Sequence, residues 1–289
     1  MTTAAQWVQG ARPRTLGAAL SPVMVGTAAA SLEGPTIWWR AASALVVALA
    51  LQIGVNYAND YSDGVRGADA YRRGPVRLTA SGIASPRAVK RAAIVAFGVA
   101  AAVGLGLSLA ADPRLLVVGA AAVAAGALYT GGPRPYGYSG LGEVMVLVFF
   151  GFVATAGSAY VQVDRVPAAA WWGSLVSGLP ACAILLVNNL RDVASDRVAG
   201  KRTLVVRLGR PVGRVLFTLC LVGALASTAA IGASHRWALV GLAAAPLAVR
   251  PALLAVSEAD APPLVRALTG TVLFQVVLAA LLAAGLWAS

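Results

Sequence analysis

The sequence contains few charged residues, one histidine and two cysteines. Only 12% of its 289 residues are Asp, Glu, Lys or Arg, and 59% are hydrophobic. A soluble globular domain usually has about 25% charged residues, so the composition indicates an integral membrane protein. The single His235 excludes a zinc site built from several histidines. Cys182 and Cys220 both lie inside apolar segments and are interpreted as packing residues, not as a disulfide or metal-binding pair.

Acidic residues are scarcer than basic ones. The sequence has 11 Asp and Glu residues and 23 Lys and Arg residues, which gives a formal net charge of +12. In a soluble protein this excess would suggest a nucleic-acid partner. In a membrane protein, basic residues orient the helices and face anionic lipid. We therefore expect these basic residues to face the lipid bilayer, and we expect no nucleic-acid partner.

Apolar runs of membrane-crossing length recur along the chain. A helix needs about 20 apolar residues to cross a bilayer core, and on that criterion the sequence predicts about nine spans. They lie at residues 15–32, 38–58, 92–110, 114–130, 142–162, 168–190, 212–233, 237–257 and 264–287. Pro246, Arg250 and Pro251 predict a kink or an early end in the eighth span. The expected fold is an all-α integral membrane bundle, forming one domain over residues 1–289.

Basic residues favour one side of this topology. With the N-terminus in the cytoplasm, 19 of the 23 Lys and Arg lie on the cytoplasmic side. The four outside are Arg40, Arg114, Arg165 and Arg236. By the positive-inside rule, the N-terminus is cytoplasmic and the C-terminus lies outside. Arg12 and Arg14 precede the first apolar stretch as in a signal peptide, but they fit an uncleaved first helix equally well, and we expect that helix to be retained.

Two acidic clusters follow the second and sixth predicted spans. The first contains Asn56, Asn59, Asp60, Asp63 and Asp69, and the second contains Asn188, Arg191, Asp192 and Asp196. Spacings of three and four residues place Asn56, Asp60 and Asp63 on one helix face, and Asn188, Asp192 and Asp196 on another. Four spans separate the clusters, so both lie on the same side. This pattern indicates either a weak internal duplication or a chance similarity of two cytoplasmic loops.

The residue types of the clusters suit a polyphosphate. Carboxylates beside lipid are costly and are usually kept for ions, substrates or protons. Magnesium prefers oxygen ligands, typically one or two carboxylates together with substrate phosphates. Arg and Lys bind phosphate oxygens, although the positive-inside rule alone also predicts basic loops. The basic residues near the clusters are Arg66, Arg72, Arg73, Arg77, Arg191, Arg197, Lys201, Arg202 and Arg207. Together they predict a metal-bridged diphosphate site at the cytoplasmic surface.

Several segments resemble one family of membrane enzymes. These are ARPRTLGAALSPVMVGTA at 11–28, NYANDYSDGVRGAD at 56–69, GPVRLTASG at 74–82, YTGGPRPYGYSGLGE at 129–143 and NNLRDVASDRVAGKRTLVVRLG at 188–209. The chain resembles the UbiA-type membrane prenyltransferases, and within them the 1,4-dihydroxy-2-naphthoate polyprenyltransferases of menaquinone biosynthesis. In the commoner form of the first motif the last Asp stands where this chain has Gly67. Asp69 follows two residues later, as in the naphthoate branch.

The resemblance implies a nine-helix bundle around a cavity in a bacterial-type inner membrane, with its active site on the cytoplasmic side. It implies that Mg²⁺, as two ions, is held by Asp60, Asp63, Asp69, Asp192 and Asp196. The polyprenyl diphosphate would contact Asn56, Asn59, Arg66, Arg77, Asn188, Arg191 and Lys201. The acceptor, 1,4-dihydroxy-2-naphthoate, would lie near Tyr129, Arg134, Tyr138 and Glu143. The ring would be prenylated with loss of carbon dioxide, which gives a demethylmenaquinol.

Other functions share some of these features. The same chemistry with 4-hydroxybenzoate, homogentisate, haem or a tetrapyrrole alcohol is the nearest alternative. A CDP-alcohol phosphotransferase is disfavoured because only the start of its acidic motif is present. An ion-coupled transporter would place its carboxylates near the bilayer midplane, whereas these lie at helix ends. The Gly- and Ala-rich helices at 92–111 and 117–127 pack through small faces, which can leave crevices for an isoprenoid chain.

Overall fold

The computed structural model describes residues 2–68, 77–257 and 261–289. Across these ranges the chain forms helices and turns and no β-strand. The helices, in chain order, are α1 (Ala4–Ala11), α2 (Gly17–Ala30), α3 (Trp38–Val65), α4 (Pro86–Ala111), α5 (Leu115–Leu128), α6 (Gly142–Val163), α7 (Ala168–Val198), α8 (Leu204–Leu208), α9 (Arg210–Gly232), α10 (Arg236–Val256) and α11 (Ala261–Trp287). The expectation of an all-helical fold is therefore confirmed for the described residues.

Each predicted span coincides with a helix, but the helices differ in length. Within the described ranges, α3, α4, α6, α7, α9, α10 and most of α11 are long and apolar enough to cross a membrane. The two remaining apolar helices, α2 and α5, have 14 residues each, shorter than the roughly 20 residues of a typical span. The protein is thus a multi-pass membrane protein, and a count of nine crossings stays a prediction.

The eighth predicted span is a continuous helix of two types. Its first part, Arg236–Ala244, has 3₁₀ geometry, and Ala245–Val256 continues as an α-helix with Pro251 inside it. Pro246 stands at the start of the α-helical part, where a missing N–H is tolerated. The predicted early end of this span is therefore wrong. The irregularity of the helix is instead the 3₁₀ geometry of its first half.

Helix α7 lies at the centre of the bundle. It packs against α2, α6, α9 and α11, and most of its membrane-length segment is buried. A helix that is apolar on all sides is stable in such a central position. The main core joins α7 to Phe217 of α9 and to Phe274, Leu278 and Leu282 of α11. This packing fixes the end of α7, which carries the second acidic cluster.

Tryptophans mark the bundle end remote from the acidic clusters. Six of the seven are exposed at the starts of α3, α7 and α10 or at the end of α11: Trp38, Trp39, Trp171, Trp172, Trp237 and Trp287. The rings of Trp38 and Trp287 lie 5.9 Å apart between centroids. Tryptophan is enriched where a membrane protein meets the lipid headgroups, so these residues indicate one interfacial belt.

A cavity of about 780 Å³ is enclosed by residues of α2 to α7 and of the segment before α2. Its walls are mainly Ala, Gly, Val and Leu, and α4 and α5 contribute small residues such as Gly104, Gly119 and Gly126. The expectation that the small-residue helices leave a crevice is confirmed. Asn56, Asn59 of α3 and Asn188 of α7 also line the cavity. The apolar space therefore extends to both acidic clusters.

Candidate active site

The first acidic cluster occupies the last turns of α3. Asn56, Asn59, Asp60 and Asp63 are all buried, which confirms that their spacing places them on the inner side of the helix. The helix ends at Val65, and Gly67 adopts a left-handed backbone with φ of 71°. Tyr57 Oη donates to the carbonyl oxygen of Trp7 at 2.8 Å, so α1 covers this end of α3.

Asp60 holds the segment that returns to α3 after the first loop. Its Oδ2 accepts from the backbone N–H of Leu78 and its Oδ1 from that of Thr79, each at 2.8 Å. A Cβ at Gly64 would lie 2.6 Å from Thr79 Cβ, so this close approach requires glycine. Each carboxylate oxygen keeps a second lone pair for a cation. Asp60 therefore anchors Leu78 and Thr79 to α3 and can still serve as a metal ligand.

Asp63 is the point where four segments meet. Its Oδ1 accepts from Tyr138 Oη at 2.6 Å, and its Oδ2 accepts from Lys201 Nζ at 3.0 Å. Arg77 Nη2 lies 3.8 Å from the same Oδ2. The carboxylate is almost fully buried, and a buried charge needs such partners to remain ionised. Residues far apart in the sequence thus converge on one carboxylate.

The second acidic cluster lies on the last turns of α7. Asp192 and Asp196 are buried, as their spacing predicts. Arg191 pairs with Asp192 through two hydrogen bonds, from Nε to Oδ1 and from Nη2 to Oδ2, both 2.7 Å long. Asn188 donates to the carbonyl oxygen of Ile184 on its own helix at 3.0 Å. In this arrangement Arg191 neutralises a carboxylate that the sequence assigns to a metal ion.

Lys201 connects the two clusters. Its backbone N–H donates to the carbonyl oxygen of Asp196 at 2.8 Å, while its ammonium reaches Asp63. The ammonium also lies 4.7 Å from the centre of the Tyr138 ring, within the range of a cation–π contact. The backbone N–H of the next residue, Arg202, donates to the carbonyl oxygen of Tyr138 at 2.8 Å. The loop after α7 is therefore fastened onto the end of α3.

The loop after α5 closes the remaining side. Arg66 donates to the carbonyl oxygens of Thr130 and Gly132, and its guanidinium lies 5.7 Å from the centre of the Tyr138 ring. Thr130 Oγ1 donates to Asn59 Oδ1 at 2.7 Å. Arg66 and Asn59, which the sequence assigns to the diphosphate, thus also order this loop.

Three tyrosines follow α5, and the two beyond the predicted span at 114–130 stay neutral at physiological pH. Burial raises the pKa of Tyr136 to about 12. Burial and then the negative charge of Asp63 raise the pKa of Tyr138. Tyr129 and Tyr136 line the cavity and pack edge to face, with ring centroids 5.4 Å apart. Tyr138 faces Asp63 instead, and Arg134 is exposed.

Glu143 lies buried behind the cavity wall. Its Oε1 accepts from Asn189 Nδ2 at 2.8 Å, and its carbonyl oxygen accepts from Cys182 Sγ at 3.2 Å. The two contacts join the start of α6 to α7. The sequence placed Glu143 near the acceptor, and the structure gives it a role in helix packing.

The buried carboxylates fit a magnesium–diphosphate complex. Among the described residues, no group of three or more His, Cys, Asp or Glu side chains is arranged to hold a metal ion by itself. Magnesium does not need one, because it usually combines one or two carboxylates with substrate phosphates. Asp63, Asp192 and Asp196 are buried oxygen donors with Arg and Lys beside them. Asp69, Arg72 and Arg73, which the sequence adds to this set, lie outside the described residues.

Some residues of the site escaped the sequence analysis. Thr130 is the last residue of a predicted span and has no acidic neighbour in the sequence, and its contact with Asn59 crosses 71 residues. Arg12 was assigned no role in the site, yet it lines the cavity together with Gln52. The available signals were the position of Arg12 next to the first span and its place in the family-like segment at 11–28. Gln52 could have been noticed as a polar residue inside the second.

Comparison with known proteins assigns the family. Residues 19–274 match the UbiA prenyltransferase family. The 1,4-dihydroxy-2-naphthoate octaprenyltransferase of Mycobacterium tuberculosis is 49% identical over 87% of this chain and 86% of its own length, and that of Mycobacterium leprae is 46% identical over 99% and 97%. A UbiA homologue from Archaeoglobus fulgidus, solved with DMAPP and Mg²⁺, matches with a TM-score of 0.64 at 14% identity, covering 96% of this chain and 98% of the other. This chain belongs to the UbiA prenyltransferase family.

Proposed function

We propose that the protein transfers a polyprenyl group from polyprenyl diphosphate to 1,4-dihydroxy-2-naphthoate, with loss of carbon dioxide, to give a demethylmenaquinol. One observation carries the proposal: Lys201, which follows the second acidic cluster, contacts Asp63 of the first, and Asn59, one turn before Asp63 on α3, lines the apolar cavity. Such a place suits a substrate with a diphosphate head and an isoprenoid tail. The names of the mycobacterial relatives support the naphthoate as acceptor.

The acidic residues would hold the diphosphate through Mg²⁺, and we propose two ions at the site. The proposed ligands are Asp60, Asp63, Asp69, Asp192 and Asp196. When bound, Mg²⁺ neutralises the charge that develops on the departing diphosphate. The Archaeoglobus homologue solved with DMAPP and Mg²⁺ supports the ion.

Basic and amide side chains would bind the diphosphate oxygens directly. The proposed contacts are Asn56, Asn59, Arg66, Arg77, Asn188, Arg191 and Lys201. Lys201 and Arg77 already stand beside Asp63, so both can donate to a phosphate oxygen held near that carboxylate. Arg191 can exchange its hydrogen bonds with Asp192 for bonds to phosphate, which frees Asp192 for the ion. These fixed donors stabilise the negative charge as the carbon–oxygen bond breaks.

The rest of the cavity would hold the reacting carbons. The apolar walls bind the isoprenoid chain and exclude water, so that the carbocation-like allylic carbon is not hydrolysed. The electron-rich naphthoate ring attacks this carbon, and a new carbon–carbon bond forms as the carboxylate leaves as carbon dioxide. We assign Tyr129, Arg134 and Tyr138 to the acceptor. Tyr129 lies on the cavity wall, which supports its assignment.

We further propose nine membrane crossings in a single domain over residues 1–289, with the site on the cytoplasmic side of a bacterial inner membrane. The tryptophan belt lies at the opposite bundle end from the acidic clusters. The concentration of Lys and Arg around those clusters supports the orientation, with the N-terminus inside and the C-terminus outside.

An acceptor panel tests the proposed reaction. Purified protein in nanodiscs would receive radiolabelled polyprenyl diphosphate, Mg²⁺ and either 1,4-dihydroxy-2-naphthoate, 4-hydroxybenzoate or homogentisate. We expect prenylated product and carbon dioxide with the naphthoate, and neither when EDTA is present. Product with 4-hydroxybenzoate alone would retain the mechanism and reject the naphthoate as the acceptor.

A further inference from the structure

Two residues that line the cavity each have a buried side-chain atom with no hydrogen-bond partner among the described residues. These atoms are Arg12 Nη2, a positively charged donor, and Gln52 Oε1, an acceptor. Buried polar atoms are almost always hydrogen-bonded, because leaving one without a partner destabilises the fold. Two such atoms of opposite hydrogen-bonding character on one cavity indicate a ligand with both an acidic group and a hydrogen-bond donor.

Both residues lie near the polar end of the cavity. Asn56 Nδ2 donates to the carbonyl oxygen of Ala11 at 2.8 Å, so the residue before Arg12 is fastened to α3. Gln52 precedes Asn56 by four residues and therefore lies one turn along the same side of α3. Gln52 lies on the opposite side of Asn56 along the helix from Asp60 and Asp63. Arg12 and Gln52 thus border the space next to the proposed diphosphate site.

The backbone around Arg12 supports a specific placement of its side chain. Arg12 separates α1 from a 3₁₀ turn at Pro13–Thr15 and has a left-handed conformation, with φ of 56° and ψ of 64°. This conformation is uncommon in residues other than glycine, asparagine and aspartate. Thr15 stabilises it through a hydrogen bond from Oγ1 to the carbonyl oxygen of Arg12 at 3.1 Å. Arg14, two residues later, is exposed.

We propose that Arg12 binds the carboxylate of the aromatic acceptor and that Gln52 accepts a hydrogen bond from one of its hydroxyl groups. The inference rests on the proposed function, since the naphthoate carries both groups. Arg134, assigned to the acceptor from the sequence, is exposed, whereas Arg12 lines the cavity and has a buried donor without a partner. Arg12 would orient the ring beside the allylic carbon and select acidic acceptors over neutral ones.

Binding of two matched ligands tests the role of Arg12 without the reaction. The probes are 1-hydroxy-2-naphthoate and 1-hydroxy-2-naphthamide, added without prenyl donor to the full chain in nanodiscs. We expect the wild-type protein to prefer the carboxylate by about tenfold to a hundredfold, the usual range for a charged hydrogen bond. Arg12→Gln should reduce this preference to near one, Arg12→Lys should retain part of it, and the exposed control Arg14→Gln should leave it unchanged.

The role of Gln52 has its own ligand pair. Gln52→Leu should weaken binding of 4-hydroxy-2-naphthoate, whose hydroxyl group is free to donate, more than binding of 2-naphthoate, which lacks the hydroxyl group. Unchanged carboxylate preference in Arg12→Gln, in protein with wild-type thermal unfolding, would overturn the proposal. The proposal would also be overturned if Arg12→Gln lost only Mg²⁺-dependent binding of prenyl diphosphate, because Arg12 would then belong to the donor site.

Failure of this inference is separable from failure of the proposed function. If the protein transfers a prenyl group to the naphthoate but Arg12→Gln keeps the wild-type preference for the carboxylate ligand, only the role of Arg12 is rejected. Arg12-dependent carboxylate preference without transfer to the naphthoate would reject the proposed reaction and retain the carboxylate site.

Discussion

Lys201 Nζ lies 3.0 Å from Asp63 Oδ2, although 138 residues separate the two in the sequence. Both side chains are largely buried, with relative exposures of 11% for Lys201 and 4% for Asp63. The pair joins the end of α3 to the loop after α7. Because Asp63 belongs to the first acidic cluster and Lys201 follows the second, this contact links the two clusters.

Replacing Lys201 should impair both activity and stability. Lys201→Met leaves Asp63 with one fewer positive partner, and removal of one member of a buried ion pair typically costs roughly 3–5 kcal/mol. We expect a large loss of prenyl transfer and a lower thermal unfolding temperature. The other lysine, Lys90, provides a matched control: Lys90→Met should retain activity. Equal activities of the two variants would contradict the assigned role of Lys201.

Removing the hydroxyl group of Tyr138 should weaken the site without disrupting it. Tyr138→Phe deletes the 2.6 Å hydrogen bond to Asp63 and keeps the ring beside Lys201. A hydrogen bond to a charged group contributes about 1.5–3 kcal/mol, so kcat/KM should fall by about 10- to 100-fold. Steady-state kinetics would measure this loss, with Tyr61→Phe as the control. A Tyr138→Phe enzyme with wild-type kcat/KM would show that the bond is dispensable.

A methyl group at position 64 should displace the segment held by Asp60. Gly64→Ala places Cβ 2.6 Å from Thr79 Cβ, and such overpacking costs about 1–3 kcal/mol. We expect lower thermal stability and reduced activity, both partly restored by Thr79→Gly. In contrast, Gly98→Ala should be tolerated, because nothing lies within 4 Å of the added Cβ. Tolerance of both alanines would show that the close approach at Gly64 is unimportant.

Tyr136 should ionise only in strongly alkaline solution. Burial raises its pKa to about 12, compared with an ordinary value of about 10. Below pH 10 the phenol is neutral in both folded and unfolded protein. Between pH 10 and pH 12, Tyr136 is deprotonated in the unfolded protein and still neutral in the folded protein. The contribution of Tyr136 to folding stability therefore declines as the pH rises towards 12. Absorbance titration of wild-type protein minus Tyr136→Phe should show a midpoint near 12; a midpoint near 10 would place the ring in water.

The sequence predicted the helices and the shared faces of the described acidic residues well, because both depend on local patterns. Apolar runs locate the membrane helices, and the spacing of Asn56, Asp60 and Asp63 correctly places them on one buried side. Contacts between distant segments do not follow from such patterns. Neither the pairing of Lys201 with Asp63 nor that of Thr130 with Asn59 follows from local spacing. The lengths of α2 and α5 also differ from expectation, because helix ends depend on loop geometry.

Mg²⁺-dependent binding of polyprenyl diphosphate most directly tests whether the two motifs form one site. Binding would be measured for Asp63→Asn, for Asp192→Asn and for the double variant, each folded in nanodiscs. If both carboxylates act on the same ions and diphosphate, each single change should abolish most metal-dependent binding, and the double variant should be little worse than either. Independent losses that add in free energy, or intact binding in either single variant, would contradict a shared site.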